Sequence, residues 1–162
     1  MRHDLLVRCI HWWVALGVVC NYWLLEPGED FHEWVGWSIG VLLVVRIGWG
    51  LWGATEARLS RLVLTPRVLL ADLRGLMTRY EAHQGHSAAG SWMIVVMFGL
   101  ITALIFTGWM QDLDAFWGEE WLQDIHAWLG HCLIAAATLH VLAVLFIQFR
   151  HNVPLIRKIW FG

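Results

Sequence analysis

Apolar residues run in four long blocks along the 162-residue chain, over positions 5–25, 34–52, 88–110 and 125–149. A helix needs about 20 apolar residues to cross a bilayer, and a spanning segment must satisfy its own backbone hydrogen bonds. The pattern therefore predicts an all-α integral membrane protein, a four-transmembrane-helix bundle. The first block runs on into Asn21-Tyr22-Trp23 with no small-residue cleavage pattern, so it is expected to stay as an anchor. Between the second and third blocks, Thr65-Pro66 offers a side-chain cap with proline in the first helical position. Val68, Leu69, Leu73, Leu76, Met77 and Tyr80 follow at helical spacing, with Arg67, Arg74 and Arg79 among them. This predicts an amphipathic helix over 66–80, lying in the inner headgroup layer or serving as a plain connector. No internal repeat or Gly/Ser linker divides the chain, so residues 1–162 read as a single membrane domain.

Composition sharpens this picture. With 59% hydrophobic and only 15% charged residues, the chain carries more apolar surface than a soluble core of this size needs. Thirteen tryptophans and seven phenylalanines exclude a disordered chain. Trp12, Trp34, Trp52, Trp109, Trp121 and Trp128 fall near span ends, where an interfacial belt accounts for them. A net charge of -2 leaves no basic footprint for nucleic acid. Cys9, Cys20 and Cys132 form no disulfide framework, no zinc pair and no covalent haem-attachment motif.

The placement of charge says more than its sum. Arg2 and Arg8 precede the first span; Arg58, Arg61, Arg67, Arg74 and Arg79 lie between the second and third; Arg150, Arg157 and Lys158 follow the fourth. Of the eleven Lys and Arg, only Arg46 lies apart from these groups. The positive-inside rule makes that side cytoplasmic and returns both termini to it. The opposite loops hold Glu26, Glu29, Asp30 and Glu33, then Asp112, Asp114, Glu119, Glu120 and Asp124. The outer face is acidic.

Nine histidines are present, and an ionisable group inside a span is a functional hypothesis by default. His11 lies about 9 Å from the inner end of the first span and His140 about 15 Å from the inner end of the fourth. His32 and His126 stand at the outer boundary of the second and fourth spans. Two depth-matched pairs result. His126 and His140, 14 residues apart, are separated by about 21 Å of rise and a rotation about 40° short of whole turns, so both imidazoles leave one face of the helix. Two cofactors stacked across a membrane need this arrangement, each iron taking two imidazoles from facing helices. His131 points about 140° away from His126 and reads as structural, while His3 and His151 read as solvated at the inner boundary.

Arg46 is the one cation well inside a span, about 9 Å from the inner end of the second, and a haem propionate would neutralise it. Arg8, close to His11, has two open readings, a propionate partner or a side chain snorkelling to the inner interface. Gly36 and Gly40, with Gly17 and Gly48, read either as room for a flat ring or as ordinary helix packing. In Ala82-His83-Gln84-Gly85-His86-Ser87, at the cytoplasmic start of the third span, His86 reads either as a group near a propionate or quinone or as a loop residue; His83 reads as solvated.

Several segments resemble the bacterial cytochrome b561 group, especially the branch grouped with B-type cytochrome subunits of nickel-iron hydrogenases. They are Arg8-Cys9-Ile10-His11-Trp12, Phe31-His32-Glu33-Trp34-Val35-Gly36, Arg46-Ile47-Gly48-Trp49-Gly50-Leu51-Trp52-Gly53, Gly85-His86-Ser87-Ala88-Ala89-Gly90, His126, and Leu139-His140-Val141-Leu142. Their order and spacing cover nearly the whole chain. The resemblance implies a bundle with two non-covalent b-type haems in the bacterial cytoplasmic membrane. His32 and His126 would be axial ligands to the outer haem iron, and His11 and His140 to the inner. Larger hydrogenase-type members can carry an additional span that this pattern does not show, and Ser87-Ala88 stands where Asn-Pro is usual.

The function expected is electron carriage between the quinone pool and a periplasmic redox protein, with lipid as surroundings and a possible oligomer. The acidic outer loops suit a partner with a basic docking face, such as a c-type cytochrome. A hydrogenase or another dehydrogenase is the other class of partner. Within the same fold, a superoxide:quinone oxidoreductase acting alone is the alternative. From another class, a haem-free histidine-based metal transporter or a structural membrane anchor remains.

Overall fold

A computed structural model describes residues 5–52, 59, 62–75, 87–152 and 154–161. Among the described residues there are six helices and no strand: α1 (Leu5–Trp23), α2 (Asp30–Trp52), α3 (Pro66–Gly75), α4 (Ala88–Gln111), α5 (Glu120–His151) and α6 (Leu155–Phe161). Four of them, α1, α2, α4 and α5, are long and apolar enough to cross a membrane.

The helix ends depart from the apolar blocks because hydropathy reports the lipid slab and not the last helical turn. Gly28, at φ +81°, turns the chain ahead of α2. That helix then begins at Asp30, four residues before its apolar block, with Asp30 and Glu33 in a first turn where the helix dipole favours carboxylates. His32 is thereby helical. α5 starts at Glu120, two residues past Gly118 (φ +78°), and closes on Asn152 in the left-handed region at φ 57°. Its 32 residues make about 48 Å of helix, longer than the hydrocarbon core of about 30 Å. The block expected at 125–149 is therefore only its central part. α1 ends at Trp23, where the amides of Leu24 and Leu25 both turn back to the Cys20 carbonyl.

The connector expected over 66–80 is helical through Gly75; residues 76–80 lie outside the described residues. Its end is tied to α4. Asp72 Oδ2 accepts the Ala88 N–H at 2.7 Å and Ser87 Oγ accepts that of Gly90 at 3.0 Å. Ser91, fully buried, accepts the Val63 N–H and donates to the Ser87 carbonyl. These bonds satisfy amides that open a helix without intrahelical partners.

α6 was not expected from the sequence, since seven residues are too short to display a period. It folds back on α1. The Ile156 N–H donates to Gln148 Oε1 at 3.0 Å, the Trp160 ring stacks 4.6 Å from Trp12, and Arg8 donates to the carbonyls of Ile159 and Trp160.

The core is one contiguous set: Ile39 and Leu43 from α2, Ile101 from α4 and Leu133 from α5, with Val14 and Val18 of α1 packed against it. Backbones approach closely between α1 and α2, α2 and α4, and α4 and α5. At the α1–α2 contact, a Cβ on Gly17 would stand 2.9 Å from Ile39 Cδ1, and the Trp13 indole donates to Ser38 Oγ. Neither α1 nor α2 makes an extended backbone approach to α5. Of the 32 residues of α5 only Leu122 and Leu133 are buried. Leu16, Val41, Val44, Phe106, Leu139 and Leu142 face outward, as spans solvated by lipid tails require.

Candidate functional site: two histidine pairs along one helix

Both histidine pairs form across the open side of the bundle. His11 of α1 meets His140 of α5 with ring centroids 6.5 Å apart and planes at 54°. His32 of α2 meets His126 of α5 at 6.3 Å and 59°. α5 supplies one member of each pair, as the 14-residue separation requires. The pairs bridge the two helix–helix faces that lack close backbone packing.

At the outer pair the surroundings of the two rings differ. His126 Nδ1 lies 2.8 Å from the hydroxyl of Thr107 on α4. That hydroxyl is also 2.9 Å from the Ala103 carbonyl and 3.1 Å from that of Leu104. Thr107 is buried, and the ring also lies against Gly108, where a Cβ would make an ordinary contact 3.4 Å from His126 Cε1. His32 is fixed through its backbone, whose carbonyl accepts from Asn21 Nδ2 at 3.1 Å. Its own Nδ1 is buried with no hydrogen-bond partner among the described residues.

The other residues singled out in the sequence have the following surroundings. His131 is exposed, with Nδ1 2.6 Å from the Ala127 carbonyl and its ring against Tyr22. Arg46 is buried, and its Nη1 would be 2.9 Å from a Cβ on Gly50, so that glycine makes room for the guanidinium beside Leu59. Arg8 donates to the last carbonyls of α6 and lines a groove of about 400 Å³ together with Leu5, Cys9, Trp12, Leu16 and Ile159. Gly17 and Gly36 face α2 and α1 respectively, and Gly40 faces Ile105 of α4. A Cβ on Gly48 would meet only Trp52 of its own helix. Gly17, Gly36 and Gly40 thus sit against neighbouring helices. His3, His83 and His86 lie outside the described residues.

Thr107 and Asn21 were invisible to spacing. A threonine inside a span reads as bonding back to its own helix, and its partner 19 residues away comes only from the packing of α4 on α5. Among the described residues, no group of three or more His, Cys, Asp or Glu converges as a metal cluster. Among the described residues the histidines meet in twos.

The model of one protein family, prokaryotic cytochrome b561, matches residues 2–162. The chain belongs to that family. No curated protein and no solved structure matches it. As a cytochrome b561, it is a membrane b-type cytochrome of electron transfer, and b-type haem is the cofactor its family implies.

The histidine pairs of this cytochrome b561 fit that cofactor by distance. An imidazole nitrogen sits about 1.1 Å from its ring centroid and about 2 Å from a first-row metal it ligates. Two imidazoles on opposite sides of one metal therefore have centroids about 6 Å apart. Both observed separations meet this value.

Proposed function

We propose that this cytochrome b561 carries electrons across the bacterial cytoplasmic membrane between the quinone pool and a periplasmic redox protein, using two non-covalent b-type haems. His11 and His140 would hold the inner haem and His32 and His126 the outer. The observation that carries this reading is the duplication: two imidazole pairs, 6.5 and 6.3 Å between centroids, each with one member on α5. Bound haem supplies one-electron Fe(III)/Fe(II) exchange. The residues supply the rest. α5 fixes the separation of the two pairs along its length, and the lipid around the four spans would supply the low-dielectric surroundings. Arg46, buried in α2, would balance propionate charge on the inner side; Arg8 would share that task only by leaving the α6 carbonyls. His86 would serve a propionate or the quinone on the inner side.

With the arginine-bearing loops cytoplasmic, the outer face carries Glu26, Glu29, Asp30, Glu33, Asp112, Asp114, Glu119, Glu120 and Asp124. This surface would attract a basic docking face and set association rate more than affinity. Trp121 donates to Glu119 Oε2 at 3.0 Å, which fixes one carboxylate on that face.

The test is reconstitution in liposomes with quinol supplied in the membrane and a basic c-type cytochrome outside. Reduction of the external cytochrome is expected to need the holoprotein, to slow as salt rises, and to slow on neutralising Glu119 and Glu120. A rate unaffected by His140→Ala would contradict the relay. Reduction by superoxide with quinone as acceptor, and no protein partner, would move the reading to a self-contained oxidoreductase.

A further inference from the structure

The two members of the outer pair differ in how the protein holds them, and the difference centres on one hydroxyl. Thr107 Oγ1 has a single proton and three polar neighbours within 3.1 Å: the carbonyls of Ala103 and Leu104 and the Nδ1 of His126. A carbonyl only accepts. With the proton directed to the carbonyls, the hydroxyl oxygen is left to accept from Nδ1–H, and the lone pair of His126 then resides on Nε2. That is the tautomer an iron ligand needs.

We infer that Thr107 is a positioning residue for the outer haem: it fixes the tautomer and rotation of His126 and, by accepting from Nδ1–H, makes that imidazole a stronger donor. The inference rests on His126 being an axial ligand, as proposed above. Hydrogen bonds to the distal nitrogen of a ligating histidine orient the ring and raise its basicity. A more basic ligand favours the ferric over the ferrous state, so Thr107 holds the outer potential down.

Three features make the assignment specific. Thr107 is buried, so water does not replace the hydroxyl. The Thr107 hydroxyl and the His126 ring come from different helices and meet at 2.8 Å, the distance of a formed hydrogen bond. The partner ring has no such support, because His32 Nδ1 is buried without a hydrogen bond. The protein therefore tunes this site through one of its two imidazoles.

Thr107→Val keeps the branched shape and removes the hydroxyl, while Thr107→Ser keeps the hydroxyl. The purified holoproteins are compared by haem content, potentiometric titration and low-temperature EPR of the oxidised form. Expected for Thr107→Val are two haems per chain and one midpoint potential raised by about tenfold in the reduction equilibrium, 59 mV for one electron. The EPR signal of that haem shifts, the other haem is unchanged, and Thr107→Ser is close to the parent. Loss of one haem from Thr107→Val but not from Thr107→Ser also supports the inference, since the ligand is then no longer held. Two haems with both potentials and both EPR signals unchanged in Thr107→Val overturns it. His126→Ala retaining two haems would instead overturn the ligand assignment beneath it, and the two failures are thereby told apart.

Discussion

Gly17→Ala adds one methyl group to α1, and its consequence can be worked from the contact with α2. The new Cβ would lie 2.9 Å from Ile39 Cδ1, 3.2 Å from Val35 Cγ1 and 3.3 Å from Ile39 Cγ1. Carbon atoms in contact prefer about 3.5–4.0 Å, so the closest contact falls short by at least about 0.6 Å. Ile39 has little freedom to yield, being 5% exposed and packed with Leu43, Ile101 and Leu133. Overpacking of this kind costs about 1–3 kcal/mol, against a helix-propensity gain of up to about 1 kcal/mol for Gly to Ala.

Gly99→Ala in α4 is the matched control. It has the same chemistry and the same propensity gain, with nothing within 4 Å of the new methyl. The difference between the two variants isolates the overpacking, about 1–3 kcal/mol. Thermal unfolding of both in one detergent, followed by near-ultraviolet circular dichroism of the tryptophans, measures it. Adding Ile39→Val removes the Cδ1 atom nearest the new methyl, so the double variant is expected to recover about 1 kcal/mol relative to the sum of the singles. Equal stability of the two alanine variants, or strict additivity with Ile39→Val, would refute the close approach of α1 and α2.

Arg8→Ala removes the donor to the Ile159 and Trp160 carbonyls; it is expected to loosen α6, seen as faster proteolysis after residue 152 and altered Trp160 emission, with haem content retained. Asp72→Ala removes the acceptor of the Ala88 amide and is expected to cost about 1 kcal/mol, a typical capping loss. Faster hydrogen exchange at the start of α4, relative to the middle of that helix, reads this loss.

The legible parts of the fold are those that a bilayer dictates. The apolar blocks gave four spans because lipid tolerates only long apolar helices, and the depth of His11, His32, His126 and His140 paired them because rise per residue is constant. The exact ends were not legible: Asp30, Glu120 and His151 are polar and helical at once, held by turn geometry at Gly28, Gly118 and Asn152 that hydropathy does not sense. α6 depends on Arg8 and Trp12, more than 140 residues away, so no local pattern announces it. Thr107 is a similar case, a residue whose role comes from which helix packs opposite. The glycines show the reverse: Gly17, Gly36 and Gly40 left ring space and helix packing equally open in the sequence, and the structure sets them against neighbouring helices.

The paired histidines are tested most directly by haem stoichiometry. Detergent-purified protein is assayed by pyridine haemochrome with protein quantified in the same sample, for the parent chain, His11→Ala and His126→Ala. Two non-covalent b-type haems per chain, falling to one in each variant, is the predicted result. A fully assembled parent chain that holds a single haem, or variants that both keep two, would contradict the pairing.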